Sequence, residues 1–414
     1  MNSGPRVDAQ NRTGSDRWLN RNVVGLAINR FLSDFGHEAG TAILPLFLTA
    51  IGAPAMALGL IEGVADGLSS FAKLFGGWVG DHVQRRKPWA AAGYFLTGVT
   101  TGLYGVFAWW PWTLLVRSVG WAGRGLRSPL HDALLTDSVP AGARGRAFGF
   151  DEAADTAGAV AGPIAALAII GLVGSGAATL AHFNLVFLLS AIPGILAGMS
   201  IVVLVKEQAH PVLKDTSLLS SLAMLPHSFR RYLAGVFVYG CGDFSNTMLI
   251  LYAVQTLGHR YGESAGTIAI ELYALHNVLY ALGSYPAGVL ADRFGKAPFL
   301  LLAYALGSLM NGVLIFAAPS VSTLLVVFIL AGATYALQQA LERAIAADLT
   351  PAELHSTGFG ALASANGIGD FVSSAIVGTL WTTVSPVAGF SYALAMSLAG
   401  VLITGAALRG IRPS

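Results

Sequence analysis

Apolar residues occur along this chain in long runs that are separated by short polar segments. A helix needs about 20 apolar residues to cross about 30 Å of hydrocarbon. Because lipid offers no hydrogen-bond partners to the backbone, we expect each sufficiently long run to be a transmembrane helix. The twelve predicted spans are residues 22–51, 57–80, 88–108, 111–136, 147–173, 180–205, 232–257, 266–291, 298–317, 321–347, 357–383 and 386–408.

A polar segment divides the spans into two sets of six. We therefore predict an all-α integral membrane protein with two six-helix bundles, a cytoplasmic linker and two short cytoplasmic tails. The predicted bounds are 1–20 for the first tail, 21–205 for the first bundle, 206–231 for the linker, 232–408 for the second bundle and 409–414 for the last tail.

The second half of the chain repeats landmarks of the first half at a nearly constant offset. Residues 80–88 follow the second span, and the similar run 291–298 follows the eighth span, about 211 residues later. Residues 33–35 recur as 242–244, at an offset of 209. Parallel repeats of this kind are one architecture of secondary transporters.

Composition also indicates a membrane protein. Hydrophobic residues make up 54% of the chain and charged residues only 11%, whereas a soluble domain has about 25% charged residues. The 50 glycines suit transmembrane helices, in which small residues let backbones approach closely.

The basic residues predict the orientation in the membrane. Most of the 24 Lys and Arg residues fall in the tails, the linker and alternate loops, and the opposite loops contain only Arg260. By the positive-inside rule, both termini and the linker are cytoplasmic, as expected for a multi-pass protein of the plasma (inner) membrane. Residues 1–18 lack an apolar core and predict a disordered tail instead of a signal peptide. The net charge of +2 gives no reason to expect a nucleic-acid partner.

A recurring loop motif resembles a known family. Residues 77–87 read Gly-x-x-Gly-Asp-x-x-x-Arg-Arg-Lys, and residues 288–296 read Gly-Val-Leu-Ala-Asp-Arg-Phe-Gly-Lys. Both are similar to the loop signature of the major facilitator superfamily, and the resemblance covers roughly residues 20–410. It implies twelve helices in two pseudo-symmetric halves, a monomer and transport by alternating access.

The same motif predicts a conformational latch on the cytoplasmic side. A carboxylate is favoured at a helix N-terminus, and the resemblance places the motif aspartate of each half against the first turn of a helix from the other half. We therefore expect one aspartate near Thr357 and the other near Arg146. Each is grouped with a basic residue four positions later and an aspartate that ends the fourth or tenth span. The six predicted latch residues are Asp81, Arg85, Asp137, Asp292, Lys296 and Asp348.

Ionisable residues within the predicted spans are candidates for proton coupling and substrate binding, because charge at membrane depth is costly. Asp34, His37 and Glu38 share one helical face. The structural alternative is that such charges only lock helices together, which applies most to Arg117, Arg127 and Asp132. The candidates are Asp34, His37, Glu38, Glu62, Asp66, Arg117, Arg124, Arg127, Asp155, Asp243, Asn246, His276, Asn277, Glu342, Asn366 and Asp370.

These residues leave the charge of the substrate open. The second half is sparser and more acidic, with Arg343 as its one intramembrane arginine. A net acidic cavity is therefore expected, and it favours a cationic substrate or protons as the counter-ion. The pair Arg124 and Arg127 could instead bind a carboxylate or a phosphate.

The fifth span contains Gly158, Gly162 and Pro163. This spacing resembles the Gly-x-x-x-Gly-Pro segment of the family's exporters, although the glycines that usually follow are replaced by Ala166 and Leu167. Small residues four apart also permit close helix packing in any membrane protein. The segment indicates antiport.

Three functions remain open. The leading hypothesis is a proton-coupled exporter of a small molecule or drug-like compound. The second is an exporter of divalent first-row metal ions, since suitable ligands are offered by Asp34, His37, Glu38 and His276. The third is a receptor or scaffold on a transporter fold. No nucleotide-binding or hydrolase motif is present in the sequence, so we expect neither enzymatic activity nor a cofactor. The lone Cys241 excludes an internal disulfide.

Overall fold

The computed structural model describes residues 18–173, 179–262 and 264–409, and the regular structure in these ranges is helical. Two single-turn 3₁₀ segments precede α5 and α13. The helices are α1 (Arg21–Ala50), α2 (Ala55–His82), α3 (Lys87–Leu103), α4 (Trp110–Asp137), α5 (Arg144–Val173), α6 (Leu180–Leu204), α7 (Leu218–Met224), α8 (His227–Gly240), α9 (Asn246–Tyr261), α10 (Ser264–Phe294), α11 (Lys296–Phe316), α12 (Val321–Leu349), α13 (His355–Thr383) and α14 (Pro386–Leu408).

The prediction of one continuous helix for the seventh span is wrong. α8 ends at Gly240 and α9 begins at Asn246, and the intervening turn carries Asp243. An added Cβ at Gly242 would lie 2.6 Å from the Ala393 carbonyl oxygen, so the turn packs closely against α14. Interrupted helices of this kind place backbone and polar groups at membrane depth in transporters. The predicted linker is also partly helical, since it contains α7 and the start of α8.

Six of the described helices are long and apolar enough to cross a membrane by length and composition. They are α5, α6, α10, α11, α12 and α14. Among the other predicted spans, α3 has 17 residues. α1 carries Arg30, Asp34 and Glu38, and α4 carries Arg117, Arg124, Arg127 and Asp132. The charged residues that lower the hydropathy of α1 and α4 thus include several candidates for proton coupling and substrate binding.

The apolar core joins the two halves at one end only. A large buried cluster includes Val23 and Phe148 of the first half together with Tyr304 and Phe359 of the second. At the opposite end, each half has a separate cluster, built from residues 39–187 in one case and 244–393 in the other. We call the joined end the linker side, because residues 205–226 run there, and the other end the open side.

Glycines make the contact between the halves possible on the linker side. α5 crosses α10 so closely that a Cβ added at Gly288 would lie 2.1 Å from the Gly145 carbonyl oxygen. α2 crosses α13 in the same way, where a Cβ at Gly77 would lie 2.4 Å from the Ser356 carbonyl oxygen. Since real Cβ atoms do not come this close, the two crossings require glycine.

The same helices diverge towards the open side. A Cβ added at Gly67 in α2, at Gly171 in α5 or at Gly266 in α10 would meet no atom within 4 Å. The described parts of the two halves thus form a wedge that is closed on the linker side.

Gly288→Ala is expected to destabilise the protein, because the added methyl group forces the crossing of α5 and α10 apart. Overpacking of this kind costs about 1–3 kcal/mol. Gly266→Ala in the same helix is the matched control, since its surroundings are empty. Apparent melting temperatures of the purified variants measure the effect, and equal values for the two variants would contradict the close crossing.

Candidate functional site

Two buried aspartates bind helix N-termini across the interface on the linker side. The Asp81 carboxylate accepts hydrogen bonds from the backbone N–H groups of Ser356 at 3.0 Å and Thr357 at 2.7 Å. Asp292 accepts the equivalent bonds from Gly145 at 2.8 Å and Arg146 at 2.9 Å. Both aspartate side chains are fully buried. The contacts predicted near Thr357 and Arg146 are therefore present.

In the first half, the basic partner of Asp81 and Asp137 is Arg86. The prediction that Arg85 has this role is wrong. Arg86 donates to Asp81 at 3.0 Å and to Asp137 at 2.6 Å, whereas Arg85 is exposed. Because α2 ends at His82, the four-residue helical spacing from Asp81 no longer applies. The chain turns so that Arg86 Nε also donates to the Gly80 carbonyl oxygen at 2.9 Å.

In the second half, the predicted basic residue Lys296 pairs with Asp348, whereas Asp292 pairs with Arg146. Gly295 has a φ of +101°, a conformation that favours glycine, and it turns the chain from α10 into α11. Lys296 then donates to Asp348 at 2.5 Å. We call Asp81, Arg86, Asp137, Asp292, Lys296 and Asp348 the linker-side cluster.

One further pair in each half bridges the interface. Arg144 of α5 bonds Asp348 of α12 at 2.8 Å, and His355 of α13 lies 3.5 Å from Asp137 of α4. Arg144 and His355 are again 211 residues apart, so the repeat extends to contacts that the sequence comparison did not include. The two sites differ in that one has an arginine and the other a histidine.

A cavity of about 290 Å³ lies between the halves, and both contribute to its wall. It is bounded by α1, α2, α4, α5, α12 and α13. Its lining residues are Arg30, Ser69, Lys73, Trp121, Arg124, Arg127, Ser128, Asp132, Glu152, Asp155, Gln339, Glu342, Arg343, Phe359, Leu362, Ala363, Asn366, Gly367 and Asp370.

Arg343 of the second half inserts into an acidic cluster of the first half. Its guanidinium group lies 3.1 Å from Asp132 and 3.4 Å from Asp151, and it also donates to Glu152. All four side chains are at least nine-tenths buried. Removing one member of such a buried network leaves an uncompensated charge, which costs about 3–5 kcal/mol.

Arg30 completes this network from α1. It lies 3.1 Å from Asp151, 3.6 Å from Asp132 and 3.8 Å from Asp155. His131 adds a ring nitrogen 2.9 Å from Asp151. Two arginines therefore share the carboxylates of α4 and α5, one from each half of the protein.

Asp132 and Arg343 occupy equivalent positions of the repeat, since they are 211 residues apart. Equivalent positions on α4 and α12 can meet where the pseudo-two-fold axis passes between these helices. Identical charges would repel each other there, whereas opposite charges attract. The sequences of the two halves have thus diverged at this position, and the resulting ion pair joins the halves.

The three arginines of α4 have different surroundings. Arg124 forms a two-pronged ion pair with Asp34 of α1, at 2.9 and 3.1 Å. Arg117 donates to Thr41 at 3.4 Å. The guanidinium group of Arg127 stacks on the ring of Tyr94 at 3.6 Å from its centroid.

In the second half, the carboxylates of Glu342 and Asp243 have neutral side chains as hydrogen-bond donors. The Glu342 carboxylate accepts hydrogen bonds from the Tyr304 hydroxyl and the Asn366 amide, each at 2.6 Å, and Glu342 is 1% exposed. Asp243 lies 3.4 Å from the Tyr335 hydroxyl and 3.5 Å from the Gln338 amide. Within the described residues, no basic side chain forms an ion pair with either carboxylate.

Six of the sequence-predicted coupling candidates line the cavity: Arg124, Arg127, Asp155, Glu342, Asn366 and Asp370. Asp34 lies behind Arg124, and Asp243 and Asn246 line a smaller pocket in the second half. The side chain of Glu62 lies outside the described residues. The remaining candidates do not line the cavity: His37, Glu38, Asp66, Arg117, His276 and Asn277.

The expectation that the cavity has a net negative charge is wrong. Five basic side chains (Arg30, Lys73, Arg124, Arg127, Arg343) and five acidic ones (Asp132, Glu152, Asp155, Glu342, Asp370) are among its described lining residues. Sequence reasoning missed Arg30 and Lys73, although basic residues within predicted spans one and two are costly unless they have a role.

Gly158 and Gly162 bring α5 against α1. A Cβ at Gly158 would lie 2.3 Å from the Phe31 carbonyl oxygen, and one at Gly162 would lie 2.4 Å from the Phe35 carbonyl oxygen. Pro163 follows within the same helix. This contact brings Asp155 of α5 within ion-pair distance of Arg30.

The geometry gives little support to a metal site. Asp34, His37 and Glu38 are not grouped for metal binding, and the group found among the described residues is His131, Asp132 and Asp151. Arg30 and Arg343 already pair with both carboxylates of that group. These arginines would repel a metal ion.

Comparison with protein families gives one match over nearly the whole chain. The model of the Major Facilitator Superfamily matches residues 26–231 and 233–414. An uncharacterised MFS-type transporter of Methanocaldococcus jannaschii, MJ1317, is 28% identical over 395 residues, which cover 95% of this chain and 96% of that protein. The uncharacterised protein Rv2265 of Mycobacterium tuberculosis is 27% identical over 87% of this chain and 85% of its own length.

Solved structures show the same fold. The transporter FucP in its outward conformation has a TM-score of 0.76 at 15% identity, over 94% of this chain and 99% of that chain. The human organic anion transporter MFSD10 has a TM-score of 0.72 at 17% identity, over 93% and 99% respectively. The predicted all-α fold of twelve transmembrane helices in two six-helix halves is confirmed, with α8 and α9 forming the seventh span together.

Arg343→Gln is expected to lower the melting temperature of the purified protein strongly, because it leaves buried carboxylates of α4 and α5 short of a cation. The expected loss of stability is about 3–5 kcal/mol. Arg85→Gln, which removes an exposed guanidinium group, is the control. Adding Asp132→Asn to Arg343→Gln should recover part of the loss. Equal stability of the two single variants would contradict the network.

Proposed function

This chain belongs to the major facilitator superfamily, and we propose that it is a proton-coupled exporter of a small molecule that works by alternating access from the cavity between its halves. The linker side faces the cytoplasm of a plasma (inner) membrane, as the distribution of basic residues favours. The transporter acts as a monomer, with a small-molecule substrate, protons and the lipid bilayer as its partners.

The wedge of the two halves supports alternating access. The cavity is closed on the linker side by glycine crossings, a shared apolar core and the linker-side cluster. In this proposal, the cluster is the latch of the state that is open to the outside. Its two helix N-terminal contacts bind carboxylates through backbone donors and the helix dipole. These contacts can break and reform without unfolding either half.

The surroundings of Glu342 are the observation that supports proton coupling. It is a buried carboxyl group in the cavity wall, and its described partners Tyr304 and Asn366 are neutral. A buried carboxylate without a cation is costly, whereas this group can take up and release a proton without breaking an ion pair. Asp34 provides a second step, because its protonation would release Arg124 towards the cavity.

The proposal of export is based on the segment that contains Gly158, Gly162 and Pro163. Its tight contact with α1 links α5 to the helix that carries Arg30 and Asp34. We propose that this contact couples proton binding at α1 to the movement of α5. Export then results when proton entry and substrate exit use the same cavity in opposite directions.

Glu342→Gln is expected to abolish substrate-linked proton movement, because the amide cannot exchange a proton. Inside-out vesicles with a respiration-driven pH gradient, monitored with a quenching dye, would receive a panel of organic cations, anions and zwitterions. The wild-type protein should dissipate the gradient with at least one compound, and the variant should still exchange that compound between equal concentrations.

Glu353→Gln, which alters an exposed carboxylate next to α13, is the matched control and should behave as the wild type. Wild-type proton movement in Glu342→Gln vesicles would contradict the coupling role. Dissipation of the gradient by no compound, together with uptake driven by sodium, would contradict proton coupling itself.

A further inference from the structure

The charged residues of the cavity divide into those that already have partners and those that do not. Arg30, Arg343, Asp132, Glu152 and Asp155 belong to the network that joins α1, α4, α5 and α12. Arg124 is paired with Asp34. Within the described residues, the lining charges without an ion pair are Lys73, Arg127, Glu342 and Asp370.

Arg127 is the most informative of these residues. It is 2% exposed, and its Nε and Nη1 atoms are buried without a hydrogen-bond partner. Stacking on Tyr94 stabilises the cation but does not use its N–H donors. A buried guanidinium group with unused donors is costly, and a carboxylate ligand would satisfy them.

Lys73 adds a second cation on the same wall. An added Cβ at Gly125 of α4 would lie 3.1 Å from the Lys73 backbone nitrogen, so α2 meets α4 here, two residues before Arg127. No described carboxylate lies within 4.0 Å of the Lys73 ammonium group. The described part of the first half therefore presents two positive charges that form no ion pair.

The opposite wall presents two acidic groups that form no ion pair within the described residues. Glu342 of α12 and Asp370 of α13 both line the cavity, and the described partners of Glu342 are neutral. An anion bound near Arg127 would meet these two groups, and a simple cation would meet Arg127 and Lys73. Only a ligand with both charges is complementary to both walls.

We propose that the substrate is a small dipolar molecule of the amino-acid class, with its carboxylate at Arg127 and Lys73 and its ammonium group at Asp370. This assignment rests on the proposed function, in which the cavity is the transport site. The volume of about 290 Å³ is just below the range of about 300–1,000 Å³ for drug-sized ligands, which suits a small molecule. A ligand that spans the two walls would also draw the halves together.

Thermal unfolding of the detergent-purified protein tests the substrate class. The probes are the free amino acids, their methyl esters, which lack the carboxylate, and their N-acetyl derivatives, which lack the ammonium group. We expect at least one free amino acid to raise the melting temperature and both of its derivatives to fail.

Variants of each wall extend the test. Arg127→Gln and Asp370→Asn should each weaken binding of that amino acid about tenfold or more, since each removes a charged hydrogen-bonding partner. Arg85→Gln and Asp215→Asn alter exposed charges and should bind as the wild type. Arg127→Lys, which keeps the charge, guards against a general folding defect and should retain part of the affinity.

Equal stabilisation by an amino acid and by its ester or N-acetyl derivative would overturn the dipolar assignment, and so would stabilisation by no amino acid. The binding assay uses no proton gradient, so its failure is distinct from failure of the vesicle assay with Glu342→Gln. A dipolar ligand that binds but moves no protons would leave this inference standing and refute proton coupling.

Discussion

Two buried carboxylates at helix N-termini hold the closed end of this transporter together. Asp81 and Asp292 each accept two backbone N–H bonds from the opposite half. Because each bond reaches across the interface, the halves cannot separate on the linker side while both contacts persist. The close glycine crossings at Gly145 and Gly77 lie beside these contacts, and the cavity opens away from them.

Buried charge explains why the closed state is specific and still reversible. Arg343 crosses into the acidic cluster of α4 and α5, whereas the apolar core holds the same interface without directional bonds. Charges in a low-dielectric site are costly when separated, so opening on the linker side requires replacement partners. In the proposed mechanism, protons and the substrate supply them, which links ligand binding in the cavity to release of the latch.

Much of the fold follows from the sequence, because hydrophobic run length and an internal repeat are local patterns. The resemblance of the loop motif to the major facilitator superfamily also predicted the contacts of Asp81 and Asp292. Other features depend on tertiary geometry: the chain leaves the helix after His82, so Arg86 replaces Arg85, and the seventh span breaks at the turn around Asp243. The charge of the cavity could not be predicted either, since it depends on which basic residues, such as Lys73, face inward.

A distance measurement across the open side tests the latch most directly. Spin labels at Leu172 and Val384, which are exposed on different halves, would be introduced after replacing the single Cys241 with serine. Releasing both carboxylates with Asp81→Asn and Asp292→Asn should shift the distance distribution to shorter values, as the linker side opens and the open side closes. Asp215→Asn should leave it unchanged. An unaltered distribution in the double variant would show that the two carboxylates do not hold the linker side closed.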